Sequence, residues 1–267
     1  MVANVFREHV NWHLTEEQYR TDKLRLLTLP GVRRCVLDAT SQELMAAPRR
    51  CSDALTYGSP SGWHVTTEGV AHGDRTVVAS EDLPLLGPHN ALNLCGALTV
   101  LEALDVAHPP LPAALSNFSG LPHRLQLVHE ADGVTWVDDS ISTTPESAAA
   151  AIASFPGRPI VLIGGGQDRG QDYTRLGVAL TERQAHVLGL PETGLRLVGA
   201  ARAAGTPAES ARVVDTLEAA VAGARAAAVP GTIVLLSPAA PSYNTYKNFE
   251  ERGDHFRQLA IRARIRA

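Results

Sequence analysis

The stretch VTWVDDSISTTPESAAA, from Val134 to Ala150, decides the fold of this chain. It begins as an apolar strand and ends in an alanine-rich helix, and two adjacent carboxylates, Asp138 and Asp139, lie between them. In open α/β sheets, ligands bind beyond the carboxyl ends of the strands, where the next helix presents unpaired N–H groups. The stretch therefore predicts an α/β fold with a ligand site at this junction.

The residues just before the helix also have a simpler explanation. Pro145 suits the first helical turn because it has no N–H to leave unpaired, and Thr143 or Thr144 can cap the helix. Thr143 with Glu146 fits a capping box, in which the two residues satisfy each other's backbone N–H groups. A capped helix start and a ligand site both remain open here, and the doubled aspartate favours the site.

Strands and helices alternate along the chain after this stretch. The pattern predicts a strand over Pro159–Ile163, a glycine turn, a helix after Tyr173, strands in HVLGL and LRLVG, a helix over Thr216–Ala228, a strand in TIVLLS and a final helix. Alternating β and α units imply a largely parallel sheet covered by helices. We therefore predict a Rossmann-like, parallel-sheet domain over residues 119–267.

Two further loops follow strands in this domain. The glycine turn GGGQDRG carries Arg169, whose guanidinium can hold a carboxylate or phosphate through two N–H bonds, and SPAAPSYNTYKNF carries Ser242. Because the ends of parallel strands meet at one edge of a sheet, we expect both residues to lie beside the aspartate junction. The alternative is that Arg169 only braces its own turn against Asp168 or Asp172.

The first residues of the chain contain a candidate cluster of histidine and lysine. Thr15 and Gln18 form a capping box ahead of a helix predicted over Glu16–Leu27, which carries Lys23. His9 lies in the polar segment just before this helix. A histidine near a lysine is more often a surface arrangement than a site, so both interpretations remain open.

Residues 34–86 read as short strands separated by Gly, Ser and Pro, and a long helix follows His89. Asn90 and Asn93 share one face at the start of that helix, where polar side chains can reach a ligand. The alternative is that Asn90 is merely the helix cap. The proline-rich segment AHPPLPAAL then predicts a domain boundary between residues 118 and 119.

Composition limits the classes of function. The chain has 267 residues, 45% of them hydrophobic, and a net charge of −4, so it can bury a large core but lacks the basic surface expected for binding nucleic acid or anionic membranes. No apolar run has transmembrane length, and the N-terminus lacks the apolar core of a signal peptide. Cys35, Cys51 and Cys95 are odd in number and far apart, which is typical of reduced thiols. We predict a cytoplasmic protein without membrane insertion.

Four segments, HNALN, SGLPHRLQLV, GVTWVDDSISTTPES and SPAAPSYNTYKNFEERG, resemble the glutamate-adding (MurD-type) Mur ligases. The resemblance covers essentially the whole chain, and NVFREHVNWH is similar to the end of the central ATPase domain of these enzymes. It implies that residues 1–118 form the second half of that ATP-binding domain. It also implies that residues 119–267 form the C-terminal, glutamate-binding, Rossmann-like domain.

The resemblance further implies an activity, with ATP and Mg²⁺ as cofactors: the ATP-dependent addition of glutamate to UDP-N-acetylmuramoyl-L-alanine during peptidoglycan precursor synthesis. It assigns roles to ten residues. These are metal-binding and catalytic His9 and Lys23, the latter as a carbamate; adenine-facing Asn90 and Asn93; phosphate-side Arg124 and ribose-side Asp139; and glutamate-holding Thr143, Arg169, Ser242 and Phe249.

The chain departs from the family pattern in several respects. The family's N-D-S-K-A-T-N reads D-D-S-I-S-T-T, which places Ile141 where a lysine is usual, and Arg169 replaces the lysine of the glycine turn. The segment is similar to the variant that adds L-glutamate and relies on a separate epimerase. The chain contains no G-x-x-G-K-[ST] loop. We therefore expect a truncated ligase that is inactive as the isolated chain.

Three hypotheses follow. The first is a portion of a ligase that adds L- or D-glutamate to the peptidoglycan precursor. The second is a non-catalytic module, derived from a Mur ligase, that binds glutamate or a nucleotide. The third is a related folate polyglutamylating enzyme, which the NFEERG ending argues against. An in-frame G-K-T motif in the DNA upstream of Met1 would separate the first two.

Overall fold

The computed structural model describes residues 1–5, 10–13 and 15–262. It divides into two compact units, Met1–Ser119 and Gly120–Ala267. The division lies one residue from the boundary that the proline-rich segment predicts. Among the described residues, none of the helices has the combination of length and hydrophobicity that a membrane span requires.

Among its described residues, the first unit combines five short strands with a long helix. Its strands are β1 (Arg34–Asp38), β2 (Asp53–Tyr57), β3 (Trp63–Val65), β4 (Gly69–His72) and β5 (Arg75–Ala79). Its helices are α1 (Val10–His13), α2 (Glu16–Leu24), α3 (Gln42–Ala46), α4 (Pro88–Ala103) and α5 (Leu111–Ser116), and 3₁₀ turns cover Arg25–Leu27 and Ser80–Asp82. β1 and β2 form a parallel pair, and β3, β4 and β5 form an antiparallel sheet.

The cysteine interpretation is wrong for two of the three thiols. Cys35 in β1 and Cys51 form a disulfide, with their Cα atoms 6.2 Å apart, whereas Cys95 is a buried free thiol. The parallel pairing of β1 with β2 places Ala54 opposite Cys35, so the chain returning from α3 brings Cys51 close to its partner. Spacing along the sequence could not show this contact, because a crossover connection creates it.

The second unit confirms the predicted α/β class. Its strands are β6 (Gln126–Ala131), β7 (Val134–Asp138), β8 (Ile160–Gly164), β9 (His186–Gly189), β10 (Ala211–Val213) and β11 (Ile233–Leu236). Its helices are α6 (Pro145–Ala153), α7 (Thr174–Glu182), α8 (Gly194–Ala204), α9 (Leu217–Ala227) and α10 (Phe249–Arg262). The sheet order is β10–β9–β8–β11–β7–β6, and every neighbouring pair is parallel except β7 with β6.

The central strands are buried on both faces, as their continuous apolar sequences require. All residues of β8 and β11 are buried. On one face, side chains such as Leu162 and Leu235 pack with α6, α7 and α8, and on the other, Val161 and Val234 pack with α9 and α10. The sheet therefore has helices on both sides, and its strand ends open onto loops.

One segment expected to be a strand is a helix. LRLVG belongs to α8, whose buried residues Gly194, Leu197, Val198 and Ala201 follow helical spacing. The alternation was misleading because Leu195 is exposed rather than in the core. The strand that follows β9 is instead the short β10, which the pattern did not predict.

The start of α6 confirms Thr144, one of the two expected caps, and corrects the expected capping box by one residue. Thr144 is the N-cap, and its hydroxyl accepts the N–H of Ser147 at 3.3 Å, while the Ser147 hydroxyl lies 3.3 Å from the Thr144 N–H. The capping box therefore joins Thr144 with Ser147 rather than Thr143 with Glu146. Pro145 begins the helix, as expected. Thr143 is left outside the cap.

Replacing the cap should weaken this helix. Thr144→Ala is expected to reduce local stability by about 1 kcal/mol, because it leaves an N–H of the first turn without its acceptor. Thr143→Ala is the matched control and should change stability by less than roughly 0.5 kcal/mol. Hydrogen exchange of the α6 amides measures both, and equal effects of the two substitutions would contradict the assignment of the cap.

Candidate functional site

Three parallel strands bring their carboxyl ends together in the second unit. β8, β11 and β7 are adjacent in the sheet, and β11 pairs with both neighbours in register. The loop after β7 carries Asp139 and Thr143, the loop after β8 carries Arg169, and the loop after β11 carries Ser242. The residues singled out from the sequence thus lie on three neighbouring loops.

A buried arginine that the sequence argument did not single out ties these loops together. Arg252 of α10 is 1% exposed, and its guanidinium donates to the hydroxyl and carbonyl oxygens of Ser140 at 3.0 and 2.8 Å. It also donates to the Ala240 carbonyl at 3.2 Å. A Cβ on Gly166 would lie 3.1 Å from the same guanidinium. Arg252 therefore links the loops after β7 and β11 and packs against the loop after β8.

The loops after β8 and β11 also meet through their backbones. The Gln167 N–H donates to the Pro241 carbonyl at 2.8 Å. Gly166 has φ +157°, and a Cβ there would lie 2.2 Å from the same carbonyl oxygen. Only glycine permits this close approach, which explains one glycine of the GGG turn.

The two aspartates at the end of β7 are both buried. Asp138 is 1% exposed and Asp139 is 3% exposed. Burial raises the pKa of Asp139 to about 6, against the opposing effect of its hydrogen bonds. Burial also raises the pKa of Asp138, and the hydrogen bond from His123 opposes that shift.

The Asp139 carboxylate is engaged by the protein itself. One oxygen accepts the Leu125 N–H at 3.2 Å, and the other accepts the hydroxyls of Ser142 and Ser237 at 2.6 and 2.7 Å. These hydrogen bonds connect the end of β7 to the segments that carry Leu125 and Ser237. A direct contact between this carboxylate and a ribose therefore stays a prediction from the resemblance.

Arg169 extends from an exposed loop that other side chains hold in place. Its guanidinium carbon lies 5.9 Å from the centre of the Tyr243 ring, next to Ser242 in the chain. Asp168 pairs instead with Arg196 at 2.7 Å, and Asp172 accepts the N–H and hydroxyl of Thr174. Neither aspartate pairs with Arg169, so the bracing alternative is wrong, and the guanidinium is available to a ligand.

The other predicted glutamate-binding residues lie close to this framework. Thr143 is half-buried just ahead of α6, and Ser242 is 2% exposed in the loop after β11. Phe249 begins α10, and its carbonyl accepts the Ser140 hydroxyl at 2.8 Å. Its ring also meets the His123 ring edge-on, with centroids 6.0 Å apart. Arg124 is exposed in the segment before β6.

The first unit contains an open cavity of about 300 Å³ near the start of α4. Its lining includes Thr40, Gly58, His89 and Leu92. This volume is at the lower end of the range typical of small-molecule sites. The cavity is therefore large enough to be considered as a ligand site.

The two asparagines at the start of α4 differ in their surroundings. Asn90 is 8% exposed, and its amide donates to the Leu86 carbonyl at 2.7 Å, four residues earlier. Asn93 is exposed and donates to Asn90 at 3.5 Å. The N-cap of the helix is Gly87 rather than Asn90, so the simple capping explanation is wrong.

Lys23 lies on α2, and its amine contacts the side chain of Tyr19. Its Nζ donates to the Tyr19 hydroxyl at 2.8 Å and lies 5.2 Å from the ring centroid. His13 bonds to Asp22 at 2.9 Å and meets Tyr19 edge-on. His9 lies outside the described residues. Within the described residues, no group of three His, Cys, Asp or Glu side chains could hold a metal ion.

Comparison with known proteins gives consistent matches. A family model described as the Mur ligase, glutamate ligase domain matches residues 123–240. A UDP-N-acetylmuramoyl-L-alanine–L-glutamate ligase from Micromonospora sp. is 42% identical over 96% of this chain and 58% of that protein. A protein of the same name from Xylella fastidiosa is 39% identical over 97% of this chain and 56% of that protein. The chain thus spans somewhat more than half the length of these relatives.

Solved structures of low sequence identity share the fold. The MurF ligase of Thermotoga maritima, in complex with ADP, has a TM-score of 0.67 at 18% identity, over 97% of this chain and 61% of that one. The folylpolyglutamate synthase of Mycobacterium tuberculosis, complexed with ADP and AMPPCP, has a TM-score of 0.63 at 18% identity, over 95% of this chain and 62% of that one.

Proposed function

Because this chain belongs to the Mur ligase family, we propose that it carries the amino-acid-binding part of a cytoplasmic, ATP-dependent ligase that joins L-glutamate to UDP-N-acetylmuramoyl-L-alanine. The observation that carries the proposal is the convergence of three parallel strand ends, which sets the loops of Thr143, Arg169 and Ser242 side by side. The relatives named as L-glutamate ligases support the choice of L-glutamate.

The glutamate site needs at least two anion-binding points, because the substrate has two carboxylates. Arg169 supplies a full positive charge and a planar pair of N–H donors. The hydroxyls of Thr143 and Ser242 supply further donors, and the start of α6 adds backbone N–H groups. Phe249 supplies an apolar wall. These groups orient the substrate amine toward the activated acid, and such positioning provides most of the catalysis expected of a ligase of this kind.

Each unit offers its own candidate groups for ATP. The open cavity at the start of α4 offers a place for adenine. The exposed Asn93 follows Leu92, a residue of the cavity lining, directly in the sequence. The exposed guanidinium of Arg124 is proposed to contact the phosphates, where it would offset their negative charge. In the reaction, the terminal phosphate is transferred to the carboxylate of the acceptor, and the glutamate amine then displaces it to form the amide.

Mg²⁺ is proposed to be held by His9 and by Lys23 as a carbamate. The surroundings of Lys23 leave room for that role, since no carboxylate among the described residues lies within 4.0 Å of the nitrogen that would carry the carbamate. The metal would supply additional positive charge to the phosphates. Lys23 is oriented by its hydrogen bond to Tyr19.

A coupled assay tests the proposal. The full gene product that contains these residues, with ATP, Mg²⁺ and UDP-N-acetylmuramoyl-L-alanine, should release phosphate and form the amide at least roughly tenfold faster with L-glutamate than with D-glutamate, since its donors are fixed relative to the substrate's two carboxylates. Mass spectrometry identifies the product. A preference for D-glutamate would refute the L-glutamate assignment. Glutamate binding without amide formation would favour a non-catalytic binding module.

A further inference from the structure

Arg124 sits in an unusual backbone arch. It is exposed, whereas the residues on both sides of it, His123 and Leu125, are each 8% exposed. These two neighbours have positive φ angles, of +59° and +45° respectively. Residues other than glycine rarely adopt this conformation and do so only when the surroundings impose it. The arch therefore needs strong anchors on both sides of Arg124.

The two buried aspartates provide those anchors. On one side, His123 Nδ1 lies 2.7 Å from an oxygen of Asp138. On the other side, the Leu125 N–H donates to Asp139 at 3.2 Å. The backbone of His123 is held as well, because its carbonyl accepts the Ile141 N–H at 3.2 Å. The arch is thus fixed to the end of β7 at three points.

The ring of His123 packs closely against α10. A Cβ on Gly253 of α10 would lie 2.2 Å from His123 Nδ1 and 2.5 Å from the Asp138 carboxylate. Phe249, also in α10, meets the ring edge-on. The imidazole is therefore enclosed by α10 on one side and by the end of β7 on the other.

We propose that His123 is a positioning residue, which together with Asp138 fixes the arch so that Arg124 presents its guanidinium at one place for the phosphates of ATP. This inference rests on the proposed function, in which Arg124 contacts those phosphates. His123 does not touch the nucleotide in this arrangement. Its effect on ATP binding passes through the backbone of Arg124. The Arg124 side chain bonds to no group among the described residues, so only that backbone directs it.

Substitutions at His123 separate positioning from simple folding stability. His123→Leu and His123→Phe both remove Nδ1, and the second keeps an aromatic ring against Phe249. Each should raise the KM for ATP about tenfold, since misplacing a binding group by about 1 Å can cost this much or more. The KM for glutamate should change less than roughly threefold. His123→Asn should restore the ATP value, because its amide can take the place of Nδ1 and asparagine tolerates positive φ.

A double variant tests whether the effect passes through Arg124. In an Arg124→Ala background, His123→Leu should cause no further rise in the KM for ATP in the full gene product, because the group that it misplaces is already absent. If the two effects multiply instead, or if His123→Asn fails to restore the ATP value, the inference is overturned. An unchanged KM for ATP in Arg124→Ala alone would instead refute the proposed role of Arg124 in nucleotide binding.

Discussion

Arg252→Met should lower the free energy of unfolding of the second unit by about 2 to 6 kcal/mol, since each buried carbonyl oxygen left without its donor costs about 1 to 3 kcal/mol. The arginine makes bonds to Ser140 and Ala240 that a methionine of similar length cannot make. Two buried carbonyl oxygens would lose their donors, and the buried carboxylate of Asp138 would lose its nearby positive charge.

The large effect is expected even though burial disfavours the charge itself. Burial lowers the pKa of Arg252 to about 10, so the guanidinium is still protonated at neutral pH, and its cost is offset by the bonds that it makes. Arg257→Met, on an exposed position of the same helix, is the matched control and should change stability by less than roughly 0.5 kcal/mol. Hydrogen exchange over residues 120–262 measures both variants. A loss below about 1 kcal/mol for Arg252→Met would contradict its proposed role in holding the loops together.

The parallel sheet could be predicted from the sequence because its signal is local. β8 and β11 are short apolar runs, each followed by glycine or proline and a helix, and this order allows few topologies. The same rule placed the loops of Arg169 and Ser242 at one edge, as the sheet order shows. The convergence of these loops could be predicted because it depends on topology rather than on side-chain geometry.

The details that were missed depend on contacts between distant residues. Arg252 bonds to Ser140, 112 residues earlier, and no spacing pattern predicts such a pair. The start of α8 also depends on such a contact, because Gly194 packs on Gly189, where a Cβ would lie 2.4 Å from backbone, and the two glycines let α8 begin after a turn of only four residues. The NFEERG motif contains Arg252, but a motif alone does not show whether an arginine is buried and hydrogen-bonded to neighbouring loops or contacts a ligand.

Arg169→Ala should raise the KM for L-glutamate by about tenfold to a hundredfold in the full gene product. A hydrogen bond to a charged group contributes about 1.5 to 3 kcal/mol, and each 1.4 kcal/mol corresponds to a factor of about ten. The KM for ATP should change less than roughly threefold, because the substitution removes only a contact to glutamate. Steady-state phosphate release at varied glutamate and varied ATP measures the two values separately.

The geometry of the loop makes this variant a test of binding rather than of folding. Arg169 is exposed, and the turn around it is held by the bonds of Asp168 to Arg196 and to the Gly170 N–H. Neither bond involves the Arg169 side chain, so the alanine variant should keep the turn intact. Arg175→Ala, at an exposed position on α7, removes the same charge elsewhere on the unit and should leave the KM for glutamate unchanged.

Arg169→Lys distinguishes charge from shape at the same position. Lysine keeps the positive charge but lacks the planar pair of N–H donors, and it stacks less well on the Tyr243 ring that lies under the guanidinium. We therefore expect a KM for L-glutamate between those of the wild type and Arg169→Ala. If the lysine variant has the same KM for L-glutamate as the wild type, the substrate carboxylate requires only a positive charge at this position. If both variants bind L-glutamate as well as the wild type does, Arg169 does not hold the substrate, and the glutamate site must be sought elsewhere along the three strand ends.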